Sequence, residues 1–250
     1  MPKTRARLDE TLVGLGLAPD RKRAQALILA GRVLVEGREV RASGEPVKPG
    51  QAVELRPGAR FVGRGGLKLE AALDHFAIPV EGLVCLDVGA STGGFTDCLL
   101  KRGAARVFAV DVGRGQLDWR LRRDPRVVCM ERTHARSLKP SDLGGPAGFF
   151  CMDVSFISAA QLLPFVAPLL APGGSWVVLV KPQFEARRGE VEKGGLVREA
   201  GVHRRVCAEV SGRAEDLGLG PLGTIQSPLT GAEGNLEFLL AGRKKHDLDF

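Results

Sequence analysis

The chain has 250 residues, with 36 Lys+Arg against 29 Asp+Glu, a net charge of +7. Hydrophobic residues make up 44% and charged residues 26%. That balance excludes a disordered, collagen-like or coiled-coil chain and leaves enough material for a buried core in one or two domains. No apolar run approaches the roughly 18 residues of a membrane helix. The longest, Leu162 to Leu170, is broken by Pro164 and Pro168. The charged start, Met1-Pro-Lys-Thr-Arg-Ala-Arg7, leads into no signal-peptide core, so a cytoplasmic location without membrane attachment is expected. The five cysteines, Cys85, Cys98, Cys129, Cys151 and Cys207, are odd in number and form no Cys-x-x-Cys pair. Neither a disulfide framework nor a metal site is expected, and buried packing is the better reading.

The charge is uneven. Residues 1–66 hold 13 Lys/Arg and 7 Asp/Glu, a net of +6, which leaves 23 and 22 for the rest of the chain. A local positive excess of this kind suits a polyphosphate backbone, although a solvated basic surface would look the same. Within this segment Arg5 to Leu17 reads as a helix with Leu8, Leu12 and Leu15 on one face. Asp20 reads as the N-cap of a second helix, Arg21 to Ala30, closed by Gly31. A hairpin follows over Val33–Val35 and Glu39-Val40 around the turn Glu36-Gly37, and Ala52 to Leu55 reads as a short strand. Arg21, Lys22 and Arg23 stand at a helix start, where backbone N–H groups also favour anions. The stretch Asp20-Arg-Lys-Arg-Ala-Gln-Ala-Leu-Ile-Leu-Ala-Gly-Arg-Val-Leu-Val-Glu-Gly37 resembles the core of the ribosomal protein S4-type RNA-binding domain. That resemblance implies binding to structured RNA, with Arg5, Arg7, Arg21, Lys22, Arg23 and Arg32 as candidate contacts. Residues 57–66 are rich in Gly, Pro and Arg and read as an interdomain linker in which Arg60 and Arg64 could also touch RNA.

From residue 83 onward, short apolar runs alternate with helical patterns. Leu83–Val88, Val107–Val112, Val127–Met130, Phe149–Val154 and Trp176–Lys181 suit parallel strands buried on both faces. Leu222–Gln226 and Leu236–Ala241 lie too close together for a helical crossover and suit a directly joined pair. In open sheets of this kind ligands bind beyond the carboxyl ends of the strands. There the first strand ends in Asp87-Val-Gly-Ala-Ser-Thr-Gly-Gly-Phe-Thr96, a glycine-rich bend, and Asp111 closes the second strand 22 residues after Gly89. An acid at that point suits the two hydroxyls of an adenosine ribose. Three chemistries compete for the bend. A dinucleotide site wants G-x-G-x-x-G, and Ser91 occupies its second glycine. A hydrolase elbow wants G-x-S-x-G, which Gly89-Ala-Ser91-Thr-Gly93 matches literally, but His203 and His246 lack a surrounding motif for the triad. S-adenosylmethionine, with its carboxylate, amine and ribose, suits the loop together with Asp87 and Asp111 best.

Polar residues also stand where buried strands would not choose them: Asp153 in Cys151-Met-Asp-Val-Ser-Phe-Ile-Ser158, Lys181 in Lys181-Pro-Gln-Phe-Glu185, Glu237 in Gly234-Asn-Leu-Glu237, and Lys68 just after Gly65-Gly-Leu67. Singly, each has a plain structural reading: a solvated helix lysine for Lys68, a helix N-cap for Asp153, members of surface ion pairs for Lys181 and Glu237. Their joint placement around one crevice suggests chemistry. With the motifs Arg-Gly-Gly-x-Lys-Leu, Asp-Val-Ser-Phe-Ile-Ser and Lys-Pro-Gln-Phe-Glu, the whole chain resembles the TlyA (haemolysin A-like) family of ribosomal RNA 2′-O-methyltransferases, whose catalytic half is of the FtsJ/RrmJ type.

The resemblance implies an α/β architecture: a small α+β S4-type domain over 1–58, a linker over 59–66, and a Rossmann-like, mostly parallel seven-stranded methyltransferase domain over 67–250. It implies S-adenosyl-L-methionine as methyl donor, a cytidine in 16S or 23S rRNA or in an assembled subunit as acceptor, and Lys68, Asp153, Lys181 and Glu237 as the catalytic tetrad. Asp87, Gly89, Ala90, Ser91, Gly93, Gly94, Phe95, Thr96, Asp111, Val112, His134 and Asp153 are the expected donor-binding residues. His134 stands where the family often has Asn, beside the expected adenine edge. Whether the chain acts as a monomer or a homodimer stays open. Ribose-oxygen methylation needs a base for a hydroxyl proton, and a lysine can serve only after losing its own, so its pKa must fall from about 10.4 toward about 7–8. Lys181 is the expected base or relay, with Lys68 steering the hydroxyl and the two acids orienting the lysines. Amino-group methylation would want Asp/Asn-Pro-Pro-aromatic where Asp153-Val-Ser-Phe156 stands, and no cysteine follows a proline as cytosine-C5 chemistry requires. A non-catalytic RNA-binding assembly factor and a membrane-active haemolysin are the alternatives from other classes.

Overall fold

The computed structural model describes residues 6–56, 60–231 and 234–246. The chain divides into two compact units, residues 1–60 and 61–250.

In the first unit, β1 (Ala6–Arg7) leads into α1 (Leu8–Gly14), followed by α2 (Arg21–Leu29), β2 (Val33–Val35), β3 (Arg38–Glu39), β4 (Pro46–Val47) and β5 (Val53–Leu55). β2 lies between β3 and β5 in an antiparallel three-stranded sheet, and β1 pairs with β4. Leu8, Leu12, Ala24, Ile28, Val33, Val35, Val40 and Val47 form a small core. Asp20 caps α2 as expected, its carboxylate accepting from Arg23 N at 2.7 Å. The first helix is shorter than its apolar spacing suggests. Ala6 and Arg7 are drawn into strand pairing with Val47 and Pro46, and Leu15, expected on the buried face, is the exposed C-cap residue.

The second unit contains α3 (Gly65–His75), β6 (Val84–Val88), α4 (Gly94–Lys101), β7 (Arg106–Asp111), α5 (Trp119–Arg122), β8 (Val127–Glu131), β9 (Ala147–Met152), α6 (Ala159–Val166), β10 (Leu170–Val180), α7 (Pro182–Glu185), α8 (Ala200–Asp216), β11 (Pro221–Gln226) and β12 (Phe238–Arg243). The strands form one seven-stranded sheet in the order β11-β12-β10-β9-β6-β7-β8. β10, β9, β6, β7 and β8 run parallel, and β12 is antiparallel to both β10 and β11. Each expected strand is present, and among the described residues no α-helix lies between the last two. Continuous apolar runs were the right signal because both faces of the sheet are covered: Leu86, Val88, Phe150, Met152 and Val178 pack on one side, and Cys85, Phe149, Cys151, Val177 and Leu179 on the other. Trp176 is fully buried and donates its indole N–H to Leu219 O at 2.7 Å. The five cysteines carry free thiols. Burial pushes Cys85 and Cys98 up to about 12, so they behave as packing residues rather than nucleophiles.

The stretch 59–66 is not a linker throughout. Phe61 is buried in the second unit's core, Val62 N donates to Asp97 Oδ2 at 2.8 Å, and α3 begins at Gly65. The Phe61 ring occupies the space where a Cβ on Gly66 would lie, 2.2 Å away, so the Gly-Gly pair serves packing rather than flexibility. Residues 57–59 lie outside the described residues.

Candidate active site

The topology gathers the singled-out polar residues at one edge of the sheet, beyond the carboxyl ends of β6, β7, β9 and β10. Val88 pairs with Met152, and the next residue, Asp153, donates its N–H to Val88 O at 2.9 Å. Val180 pairs with Phe238 in the antiparallel ladder, so Lys181, just after one, and Glu237, just before the other, adjoin across it. Lys68 comes from the first turns of α3, which packs on β12.

The four side chains form two ion pairs. Lys68 donates to Glu237 Oε2 in a short contact, with Lys68 8% and Glu237 3% exposed. Lys68 is therefore not a solvated helix residue. Lys181 Nζ lies 2.7 Å from Asp153 Oδ1 and donates to Ser155 Oγ at 2.8 Å. Its approach to Asp153 is a charge contact without hydrogen-bond alignment, and Asp153 Oδ1, shut off from water, has no directed donor. Asp153 does not cap α6 either; Ser158 does.

Asp153 also stands where two cavities meet. One, of about 520 Å³, is lined by Gly89, Ser91, Asp111, Val112, His134 and Phe156 among others. The other, of about 190 Å³, is lined by Gly65, Gly89, Ala90, Ser91, Thr92, Gly94, Phe95 and Asp153. They share Gly89, Ser91 and Asp153. Gly89 is required here: its φ is +85°, and a Cβ would stand 2.3 Å from Asp153 O. Ser91 also takes a left-handed φ of 48° and donates its N–H to Asp111 Oδ2 at 2.8 Å, while Gly113 N donates to Asp111 Oδ1 at 2.7 Å. Phe156, at φ 66°, is 93% exposed and leans on Phe184 with ring centroids 5.4 Å apart. A phenylalanine held at positive φ costs about 1–3 kcal/mol, and such strain clusters at functional sites.

Several expected residues stand elsewhere. Asp87 is fully buried under the bend, lines neither cavity, and accepts from Thr96 Oγ1 at 2.6 Å. Burial drives its carboxyl up to about 7, against the opposing pull of the Thr96 hydrogen bond. Asp87 and Thr96 thus shape the bend from below, and Asp111 is the acid that faces the cavity. Gly93, the N-cap residue of α4 at φ 94°, lines neither cavity, whereas Gly94 and Phe95 line the smaller one.

In the first unit, Arg7 and Arg21 are held by the buried Asp9, through contacts at 3.0 and 2.9 Å. Arg7 and its neighbours pull the Asp9 carboxyl well below the usual range despite its burial. Arg32 clamps Arg56 O at 2.8 Å, and in the second unit Arg64 donates to Thr230 O at 3.0 Å. Lys22 and Arg23 are exposed and have no ion pair among the described residues. Arg60 is exposed, and Arg5 lies outside the described residues.

Sequence reasoning passed over three side chains. Ser155 receives Lys181, and Gln116 lines the larger cavity. Asn235 donates to Gly195 O and accepts from Val197 N, holding the chain just before Glu237. Asn235 is the only asparagine in the chain, which was the one available signal for it; Gln116 carried none.

Residues 6–53 match the S4 domain, and residues 61–244 match the FtsJ-like methyltransferase family. The chain belongs to the FtsJ-like methyltransferase family, with an S4 domain before the catalytic unit. It is 45% identical over 245 residues to the 16S/23S rRNA (cytidine-2′-O)-methyltransferase TlyA of Mycobacterium tuberculosis, covering 97% of this chain and 91% of that protein. It is 41% identical over 234 residues to Hemolysin A of Brachyspira hyodysenteriae, covering 93% and 98%. The solved structure of a candidate hemolysin from Streptococcus thermophilus superposes with a TM-score of 0.74 at 41% identity, covering 98% of this chain and 92% of that one. The glycine bend and the two lysine–carboxylate pairs lie within the stretch that matches the methyltransferase family. Among the described residues no helix is long and apolar enough to cross a membrane.

Proposed function

We propose that this protein transfers a methyl group from S-adenosylmethionine to the ribose 2′-hydroxyl of a cytidine in ribosomal RNA, as free RNA or in a subunit. The observation that carries the reading is the pair of lysine–carboxylate contacts at the sheet edge, one of them opening on both cavities through Asp153.

The donor set fits the cofactor. Asp111 faces the larger cavity beside Val112 and His134, which suits a ribose with an adenine next to it. The backbone of Gly89 to Phe95 walls the smaller cavity, which suits the methionine part. Asp153 borders both cavities at their junction. When bound, the cofactor supplies an electrophilic methyl on a sulfonium.

The chain's own residues handle the acceptor. Lys181 stands to receive the proton of the 2′-hydroxyl, and the Ser155 hydroxyl, 2.8 Å from Nζ, stands next in line to pass it on. Asp153 orients Lys181 from 2.7 Å. Lys68, fixed by Glu237 and mostly buried, steers the acceptor oxygen. Phe156 offers an open ring face at the cavity mouth, suited to a base taken out of its stack. The S4 domain supplies RNA affinity, with Lys22 and Arg23 as its available cations. On this reading the protein works in the cytoplasm, where ribosomal subunits are.

Lys181→Ala tests the assignment. The variant should bind S-adenosylmethionine with nearly the wild-type affinity by calorimetry, yet transfer no labelled methyl to ribosomal subunits. Near-normal turnover would refute the role of Lys181.

A further inference from the structure

Two loops carry the proposed proton-transfer groups. Residues 153–158, between β9 and α6, bear Asp153, Ser155 and Phe156; residues 181–185, from the end of β10 through α7, bear Lys181 and Phe184. They touch through Lys181 with Asp153 and Ser155, and through the two phenylalanine rings. A further contact lies at their far ends. Glu185 Oε2 accepts from Ser158 Oγ at 2.6 Å, and Glu185 Oε1 accepts from Ala159 N at 2.6 Å. Ser158 Oγ in turn accepts from Gln161 N at 3.3 Å. The first turn of α6 is thus capped by a carboxylate belonging to the other loop, where a negative charge meets free N–H groups. The loop so held contains Phe156 in a left-handed backbone conformation that an unrestrained chain would leave. Glu185 lines neither cavity.

We infer that Glu185 is a positioning residue: it locks the 153–158 loop to the 181–185 loop, which keeps Asp153 and Ser155 against Lys181. The inference rests on the reading of Lys181 and Asp153 as proton-transfer partners. Losing the clamp lets the two loops part at one end. Misplacement by an ångström costs on the order of 10²-fold in rate, and the loss falls mainly in kcat because Asp111 and the glycine bend, outside both loops, hold most of the cofactor and the S4 domain supplies most of the RNA affinity.

The test is steady-state methylation of ribosomal subunits by the full-length protein, with KM for each substrate measured separately. Glu185→Ala should lower kcat by roughly 10–100-fold and change either KM by less than about threefold. Glu185→Gln keeps an acceptor for Ala159 N and should regain most of the loss. Ser158→Ala, which removes only the hydroxyl contact, should fall between Glu185→Ala and wild type. Stoichiometric cofactor binding by each variant counts the folded sites, so a drop in active protein is not read as a drop in kcat. Wild-type kcat in Glu185→Ala, a loss confined to KM, or Glu185→Gln as impaired as Glu185→Ala would overturn the inference. If Glu185→Ala does not fold, Glu185→Gln and Ser158→Ala decide it: wild-type kcat in Ser158→Ala overturns the inference. An active Lys181→Ala variant would instead remove the reading underneath it, while an inactive Lys181→Ala beside a fully active Glu185→Ala would remove the Glu185 role alone.

Discussion

Removing one partner of the Lys68–Glu237 pair should be far more damaging than removing both. Both side chains are nearly sealed from water, at 8% and 3% exposure, and they bond directly to each other. Lys68→Met strands a carboxylate in the interior, and Glu237→Leu strands an ammonium. Either uncompensated charge should cost about 3–5 kcal/mol. The double variant Lys68→Met/Glu237→Leu removes both charges, and replacing a buried pair by apolar groups of similar size is often neutral or even stabilising. It should stay within about 1 kcal/mol of wild type, well short of the sum of the singles. Urea denaturation followed by the fluorescence of the buried Trp176 reads the second unit directly. The double variant should recover stability and remain without methyl transfer, which separates the chemical use of the pair from its structural cost. Single variants that lose less than about 1 kcal/mol, the range of exposed ion pairs, would refute the reasoning.

The Asp87 carboxyl, raised to about 7 by burial, holds its proton in the folded state where the unfolded chain has lost it. Its contribution to stability is full below the unfolded value of 3.8 and is lost as pH rises through about 7, on the order of 4 kcal/mol across the window. Asp87→Asn should flatten that part of the urea midpoint's pH dependence; identical slopes in variant and wild type would contradict the account. In the S4 domain, Lys22→Glu/Arg23→Glu should weaken RNA binding and reduce the log–log salt slope by about 0.7–0.9 per lost phosphate contact, leaving cofactor affinity as it was. An unchanged slope would move the RNA contact elsewhere.

The sheet was legible because parallel strands buried on both faces can only be written as continuous apolar runs, and the polar interruptions at their ends marked Asp153, Lys181 and Glu237 as candidate site residues. The pairing between them was not legible. Lys68 lies 169 positions from Glu237, and only the β10–β12 register and the packing of α3 bring them together. Asp87 was read as a cavity acid because an acid after a strand suits a ligand. Its burial as the acceptor of the Thr96 hydroxyl depends on how α4 folds back, which no spacing encodes. The basic residues of the first unit were counted as RNA contacts, whereas the buried Asp9 holds Arg7 and Arg21; a single carboxylate in a charged helix start gives no sign of being inside. Residues 61–66 misled because Gly and Arg read as flexibility, when the glycines make room for the Phe61 ring.

The most direct test of the central claim is the identity of the methylated nucleoside. Ribosomal subunits lacking the modification, incubated with the protein and labelled S-adenosylmethionine and then digested to nucleosides, should carry the label in 2′-O-methylcytidine, and the Lys181→Ala variant should leave them unlabelled. Label on a base atom, or none with the wild-type protein, would contradict the account.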